Sequence, residues 1–208
     1  MKKITGIIIT ISLCLFISCN KITERETSYP NGQLKERWNI EKRSGKEVKT
    51  GLYESWHENG KRKEVFQYNE DLQHGVQKSF YSTGKIKRLE HYLFGVLSGK
   101  QIKWDKEENI LSEVIFRDGK KNGKFLSYHK SGIIFKHLNY ANDLKSGIQI
   151  EYDNQKNVVN VAWYKEGELQ SGPADSAKIM EDIIKIDTTS TPVIKTVKNT
   201  ELEEAVEE

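Results

Sequence analysis

The sequence predicts an all-β protein, an elongated antiparallel meander of tandem 24-residue β-hairpin repeats, and three observations carry that prediction. Gly51, Gly75, Gly99, Gly123 and Gly147 recur at intervals of 24 residues, and Gly172 follows after 25. Two aromatic columns keep the same period: Trp56, Phe80, Trp104, Tyr128 and Tyr152, then Tyr68, Tyr92, Phe116, Tyr140 and Tyr164. Between the glycines lie turn signals, Asn59-Gly60, Thr83-Gly84 and Ser131-Gly132, with Glu108-Asn109 and Lys156-Asn157 where the glycine is missing. Gly and Asn adopt most readily the positive φ of tight hairpin loops, so each unit reads strand, turn, strand, turn.

In chain order, Met1-Lys2-Lys3 precedes a mostly apolar run over residues 4–17. That run is shorter than the ~20 residues needed to span a bilayer, so residues 1–18 read as a secretory signal peptide. Phe16-Ile17-Ser18-Cys19 places a small residue before a cysteine, whereas Cys14 follows the bulky Leu13. This arrangement resembles a lipoprotein signal. It implies acylation of Cys19 and a lipid-anchored protein of the bacterial cell envelope, on the outer membrane, facing the periplasm or on the cell surface. Without the signal, Cys19 is the sole cysteine, so the mature chain has no intramolecular disulfide and no thiolate metal site. The polar residues 19–28 are expected to form a lipidated tether.

Residues 29–172 carry the repeat array. Tyr29 to Trp38 reads as the second half of a unit, with Asn31-Gly32 matching Asn59-Gly60 and Trp38 matching Phe66; the register then slips by four through a polar loop at 41–49. In the first full unit the strands are expected near 51–57 and 62–68. A further column is aliphatic at Ile86, Ile110, Ile134 and Val158, with Arg62 as the exception. Along the first strands the apolar residues fall on one side (Leu52 and Trp56, Val76 and Phe80, Ile102 and Trp104, Leu126 and Tyr128). Ser55, Gln77, Gln101, Lys103 and Glu151 fall on the other. This alternation predicts a one-sided sheet. A lone two-stranded hairpin is marginal in water, so the units are expected to stack.

Residues 173–208 break the pattern and read as a cap and acidic tail. Ile179, Met180, Ile183, Ile184 and Ile186 suit a short helix, and strands at 183–186 and 193–197 suit the segment equally; either would cover an open sheet edge. The last eight residues include five glutamates. Charge is divided: residues 173–208 carry a net −5 and residues 20–172 a net +6. Such a body could favour an anionic partner, although nucleic acid is not expected outside the cytoplasm.

Catalytic patterns are missing. His57 and His129 hold the same repeat position three units apart, a separation of roughly 30 Å, too far to share a metal. No cofactor, metal site or small-molecule substrate is expected: there is no Gly-x-Ser-x-Gly elbow, and the glycines space turns instead of opening helices. Pairs such as Glu107-Glu108 and Glu70-Asp71 read as solvated turns. The aromatic columns read first as sheet core and second as a possible binding groove.

Tyr53-Glu54-Ser55-Trp56-His57-Glu58-Asn59-Gly60-Lys61, Tyr81-Ser82-Thr83-Gly84-Lys85 and the glycine column resemble the MORN repeat. The likeness is greatest to the variant MORN repeats of the YwqK-type family, often labelled antitoxin components. It covers roughly residues 28–172. The resemblance implies an elongated, curved single sheet; together with the signal, Cys19 and the missing catalytic patterns, the expectation is a non-enzymatic scaffold that binds an envelope protein. An antitoxin or immunity role against a specific toxin, or association of the repeats with lipid, would also agree with it.

Overall fold

The computed structural model describes residues 22–170, and all of its regular structure is β. The first part of the sheet comprises β1 (Ile22–Ser28), β2 (Leu34–Arg43), β3 (Lys46–Trp56), β4 (Arg62–Asn69), β5 (Leu72–Gln73) and β6 (Gly75–Phe80). It continues through β7 (Ile86–Leu93), β8 (Val96–Leu97), β9 (Gly99–Trp104), β10 (Ile110–Arg117) and β11 (Lys120–Tyr128). The last strands are β12 (Ile134–Ala141), β13 (Leu144–Lys145), β14 (Gly147–Tyr152), β15 (Val158–Lys165) and β16 (Glu168–Gln170).

These form one open antiparallel sheet in which spatial order follows chain order, with the two-residue strands β5, β8 and β13 off the main path. Thirteen strands lie on that path, so at about 4.8 Å per strand the sheet extends roughly 60 Å across its strands. The meander of hairpins expected from the repeat is the observed architecture.

The sheet begins earlier than the aromatic pattern announces. Residues 22–28, expected as tether, form β1 and pair with β2 from Ile22↔Glu41 to Ser28↔Leu34. Alternating Thr, Glu and Arg give this strand a charged edge, which discourages pairing with another sheet. The stretch at 41–49, expected as a loop, instead closes a long hairpin through Ser44-Gly45, with Lys42↔Glu47 and Arg43↔Lys46 still paired. Cys19, Gly172 and the expected cap and tail lie outside the described residues.

Two kinds of turn alternate. At one edge, Ser44-Gly45, Glu70-Asp71, Phe94-Gly95, Asp118-Gly119, Asn142-Asp143 and Glu166-Gly167 each have positive φ at both residues, the type I′ conformation that matches strand twist. At the other edge a type I turn closes on a left-handed residue, as where the Gly60 amide donates to the His57 carbonyl at 2.9 Å and Gly60 has φ 78°. We call these the turn edge and the loop edge.

Three marker glycines, Gly75, Gly99 and Gly147, begin a strand just after a one-residue break, whereas Gly51 and Gly123 lie inside β3 and β11. Gly75, with φ 77°, opens β6 after the break at His74, so β4 pairs with β5 at Tyr68↔Gln73 and with β6 at Val65↔Lys78. The gap between these pairings is filled by Gln77. Its Oε1 accepts the Gln67 amide at 3.1 Å, and its Nε2 donates to the Gln67 and His74 carbonyls at 3.1 Å each. Gln149 repeats the arrangement on the Asn139 amide and carbonyl and on the Ser146 carbonyl. A primary amide carries the same donor and acceptor as a peptide unit, so the side chain replaces a missing rung of the ladder.

The expectation that Ser55, Gln77 and Gln101 lie on an open polar side is therefore corrected: all three are buried, Gln77 to 2% exposure. Where Tyr53 and Phe125 hold the position of these glutamines, rings fill the space. Tyr53 stacks on Phe66 at 5.9 Å and meets Tyr68 edge-on at 6.0 Å; Phe125 meets Tyr140 at 6.3 Å.

Candidate binding surface

Residues directly opposite one another in an antiparallel ladder project to the same face. The pairs Gly51↔Tyr68, Gly75↔Tyr92, Gly99↔Phe116, Gly123↔Tyr140 and Gly147↔Tyr164 place the second aromatic column on the face of the marker glycines. Trp56, Phe80, Trp104, Tyr128 and Tyr152 each stand five positions after a glycine, an odd step that puts them on the opposite face. The two columns expected to share a groove are thus on opposite faces. They also lie toward opposite edges, the first near the loops and the second near the turns. The sheet divides the ten residues into two separate surfaces.

On the first face, a β-bulge in every second strand turns the aliphatic column toward the aromatic one. Register shifts leave Trp56 opposite Arg62, Phe80 opposite Ile86, Tyr128 opposite Ile134 and Tyr152 opposite Val158. Trp104 meets Ile110 in the same way. Ile134, Ile150 and Tyr152 form a buried cluster supported by Leu126, Tyr128 and Ile148. Tyr152 is 4% exposed and belongs to the core, whereas Trp56, Phe80, Trp104 and Tyr128 are half-buried.

Polar groups are fixed beside these rings. The Arg37 guanidinium lies 5.7 Å from the Trp56 ring, and Arg62 contacts Glu54 at 3.3 Å. The Tyr128 hydroxyl donates to Glu113 at 3.0 Å, and the other oxygen of that carboxylate accepts from Lys100 at 2.9 Å. Burial first, and the Glu113 charge second, push the Tyr128 phenol well above its ordinary range.

On the second face, lysines occupy the aromatic column. Lys49 Nζ lies 5.7, 5.1 and 5.2 Å from the rings of Trp38, Tyr53 and Tyr68. Lys121 Nζ lies 5.0 Å from Tyr140, and Lys145 Nζ lies 4.6 Å from Tyr164. These cation–π contacts leave the rings of Tyr68, Tyr140 and Tyr164 already engaged within the chain. Burial, then the Glu36 carboxylate, push the Tyr53 phenol up to about 12.

Both edges tie each repeat to its neighbour. Along the turn edge the second residue of every turn after Ser44-Gly45 donates its amide to a carbonyl 22 positions earlier: Asp71 to Lys49, Gly95 to Gln73, Gly119 to Leu97, Asp143 to Lys121 and Gly167 to Lys145, at 2.7–3.0 Å. Along the loop edge the first loop residue, where it is a tyrosine or a histidine, reaches the carbonyl of the next aromatic. Tyr29 donates to Trp56 at 2.7 Å and Tyr81 to Trp104 at 2.7 Å. His57 and His129 bond the Phe80 and Tyr152 carbonyls at 3.1 and 2.8 Å. Sequence reasoning weighed these histidines only as metal ligands; the recurring ring at the first loop position was the signal for their structural task.

His91 bonds the Lys100 carbonyl at 2.9 Å, and His74 packs on the Phe94 ring at 4.6 Å. His137 is buried, and its Nε2 finds no hydrogen-bond partner among the described residues. Among the described residues, no group of three or more His, Cys, Asp or Glu could hold a metal ion.

The loops lacking glycine are rebuilt by an aspartate. Glu108 and Lys156 take positive φ of 73° and 67°. Asp105 Oδ1 accepts the Glu107 and Asn109 amides at 3.0 and 2.8 Å, and Oδ2 accepts the Asn109 side-chain amide at 3.0 Å. Asp153 does the same with Gln155 and Asn157. Hydrogen bonds from Asn157 hold the Asp153 carboxyl below its usual range; at Asp105, desolvation opposes the shift, but the bonds from Asn109 and Glu107 outweigh it.

Residues 49–70, 73–93 and 121–142 match the repeat family described as MORN repeat variant. Each match spans one hairpin from the first strand to the closing turn. The hairpins left unmatched at the third and fifth positions are those with the Asp105 and Asp153 loops, which nonetheless keep the same strand order and register. No curated protein matches the chain.

Proposed function

We propose that this MORN-variant repeat scaffold is a non-enzymatic, protein-binding platform, held at the bacterial cell envelope by a lipid on Cys19. The observation that carries the reading is the first face. Trp56, Phe80, Trp104 and Tyr128 run along it half-buried, with Leu52 and Ile115 exposed beside them. Partly exposed aromatics with fixed polar partners such as Arg37 and Glu113 suit protein recognition, in which Trp, Tyr and Arg dominate binding energy.

The envelope part of the proposal rests on the signal sequence and on connectivity. Cys19 precedes Ile22 by three positions, and β1 begins at the turn edge. A lipid on Cys19 would therefore be held within about 11 Å of that edge, with the loop edge directed away from the bilayer.

The test is an in-cell crosslinking pulldown comparing the native chain with Trp104→Ala, paired with circular dichroism of the variant. One partner captured by the native chain and lost from a folded variant supports the first face as the recognition surface. Equal capture by both assigns binding elsewhere. Membrane fractionation of Cys19→Ala checks the anchor: release into the soluble fraction is expected, and retention would overturn it.

A further inference from the structure

We propose that the loop edge carries a receptor pocket for a phenol, the side chain of a tyrosine presented by a protein partner, in the gap left by Asp105. This site deepens the protein-binding reading and rests on it.

The argument starts from the row of loop-edge ties. At Tyr29, His57, Tyr81 and His129 the chain places a ring bearing a polar atom against the carbonyl of the next aromatic residue, at 2.7–3.1 Å. Asp105 holds the equivalent place before Tyr128. Its side chain is too short to cross, and both oxygens are turned into its own loop by Glu107 and Asn109. No loop side chain reaches the Tyr128 carbonyl among the described residues.

Beside Asp105, between the flanking loop rings, there is a cavity of about 340 Å³ whose apolar and aromatic walls are Tyr81, Ile110, Leu111, Tyr128 and His129 and whose polar lining is Asp105, Glu107, Asn109, Lys106 and Lys130. That volume is at the small end of ligand pockets. Tyr81 and His129 are the loop rings of the two flanking repeats, so a ring entering here completes the row. Like the sites the chain fills for itself, the cavity pairs apolar and ring walls with a backbone acceptor, here with charged loop side chains around them.

The occupant must be flat, largely apolar and a hydrogen-bond donor. A phenol meets all three requirements, and the two tyrosine ties at 2.7 Å supply its geometry. The charges lining the cavity balance, Lys106 and Lys130 against Asp105 and Glu107, so a neutral donor suits it better than an ion, and a carboxylate cannot donate to a carbonyl. A free ligand and a protein tyrosine present the same group. The surrounding exposed loop surface and the scaffold reading select the protein source.

The experiment titrates p-cresol, toluene and the tripeptide Gly-Tyr-Gly into the full mature chain, followed by NMR of the isoleucine and leucine methyls. Shifts at Ile110 and Leu111 are expected with p-cresol and the tripeptide, and toluene should bind about fivefold more weakly for want of one hydrogen bond. A loop graft, Asp105→Tyr with Lys106→Ser, Glu107→Thr and Glu108→Gly, copies the loop at 81–84. It should fill the pocket with the chain's own ring and reduce p-cresol affinity at least about tenfold.

Equal affinity for p-cresol and toluene, shifts located elsewhere, or unchanged binding in a folded graft would each overturn the proposal. If the graft does not fold, the comparison of p-cresol with toluene and the location of the shifts decide. A partner captured in the pulldown and not displaced by Gly-Tyr-Gly would remove this pocket while leaving the scaffold reading intact. Phenol binding without any protein partner would do the reverse.

Discussion

Asp143 grips Lys121 through two bonds: its amide donates to the Lys121 carbonyl at 2.9 Å, and its carboxylate accepts the Lys121 amide at 2.8 Å. Asp71 holds Lys49 in the same manner, whereas Gly95, Gly119 and Gly167 make only the amide bond. Asp143→Ala loses the carboxylate bond and keeps a side chain at φ 69°. It should lower stability by about 1–2 kcal/mol. Asp143→Gly loses the same bond but relieves the strain, so its urea midpoint should lie between those of the native chain and the alanine variant.

Gln149 is the buried rung between β12 and the broken strand formed by β13 and β14. Gln149→Leu fits the space but leaves the Asn139 amide and carbonyl without their partner, at a cost of about 2–4 kcal/mol. Gln149→Glu can accept but not donate and should be similarly destabilised at neutral pH. A loss under 1 kcal/mol in either urea titration would mean that the ladder closes without the side chain.

His137 makes stability depend on pH. Burial, and then the charge of Lys124, hold its imidazole below the ordinary value. As pH falls through about 6.5 the unfolded chain takes up a proton that the folded chain does not accept until lower pH. Its stabilising effect is thus complete above that point and declines on acidification. His137→Leu places there the residue that stands at the same repeat position two units earlier, Leu89. It should raise the melting temperature at pH 5.5 more than at pH 7.5, and equal shifts at both would show that His137 does not titrate as described.

Tyr81→Phe removes one hydroxyl, and with it the bond to the Trp104 carbonyl at 2.7 Å. The expected loss is about 1 kcal/mol. Amide exchange should quicken locally in the loop at 81–85 and the end of β9, and the remaining repeats should keep native protection. Quickening across the entire sheet would indicate that the array opens as one unit.

The period of 24 was legible because the features that set it are local: positive φ at a turn needs glycine or asparagine, and a half-buried strand needs alternation. Strand β1 was hidden because Ser28 replaces the aromatic and no marker glycine precedes it; its pairing comes from the backbone ladder and from charged side chains such as Glu26 on Arg37, which carry no repeat signal. The burial of Gln77 could not be read from polarity, since it depends on a gap in the ladder that exists only after the neighbouring strands are aligned. The separation of the two aromatic columns was hidden for a related reason. Trp56 and Tyr68 are an even number of residues apart, but they lie on different strands of a hairpin. Only the pairing Gly51↔Tyr68 decides which face each one takes. Of the candidate site, the first column was correctly grouped with Leu52 and Leu126. The loop-edge rings escaped notice because their partners are carbonyls, which leave no mark in the side-chain sequence.

The ties at both edges join only adjacent hairpins, and this makes the molecule a ruler. Inserting or deleting one 24-residue unit would change the span by two strand spacings, about 10 Å, while every other unit keeps the same neighbours. Reach from the first strand to the last and the interval between equivalent side chains could thus be altered in fixed graduations, by duplication alone, without redesigning any contact.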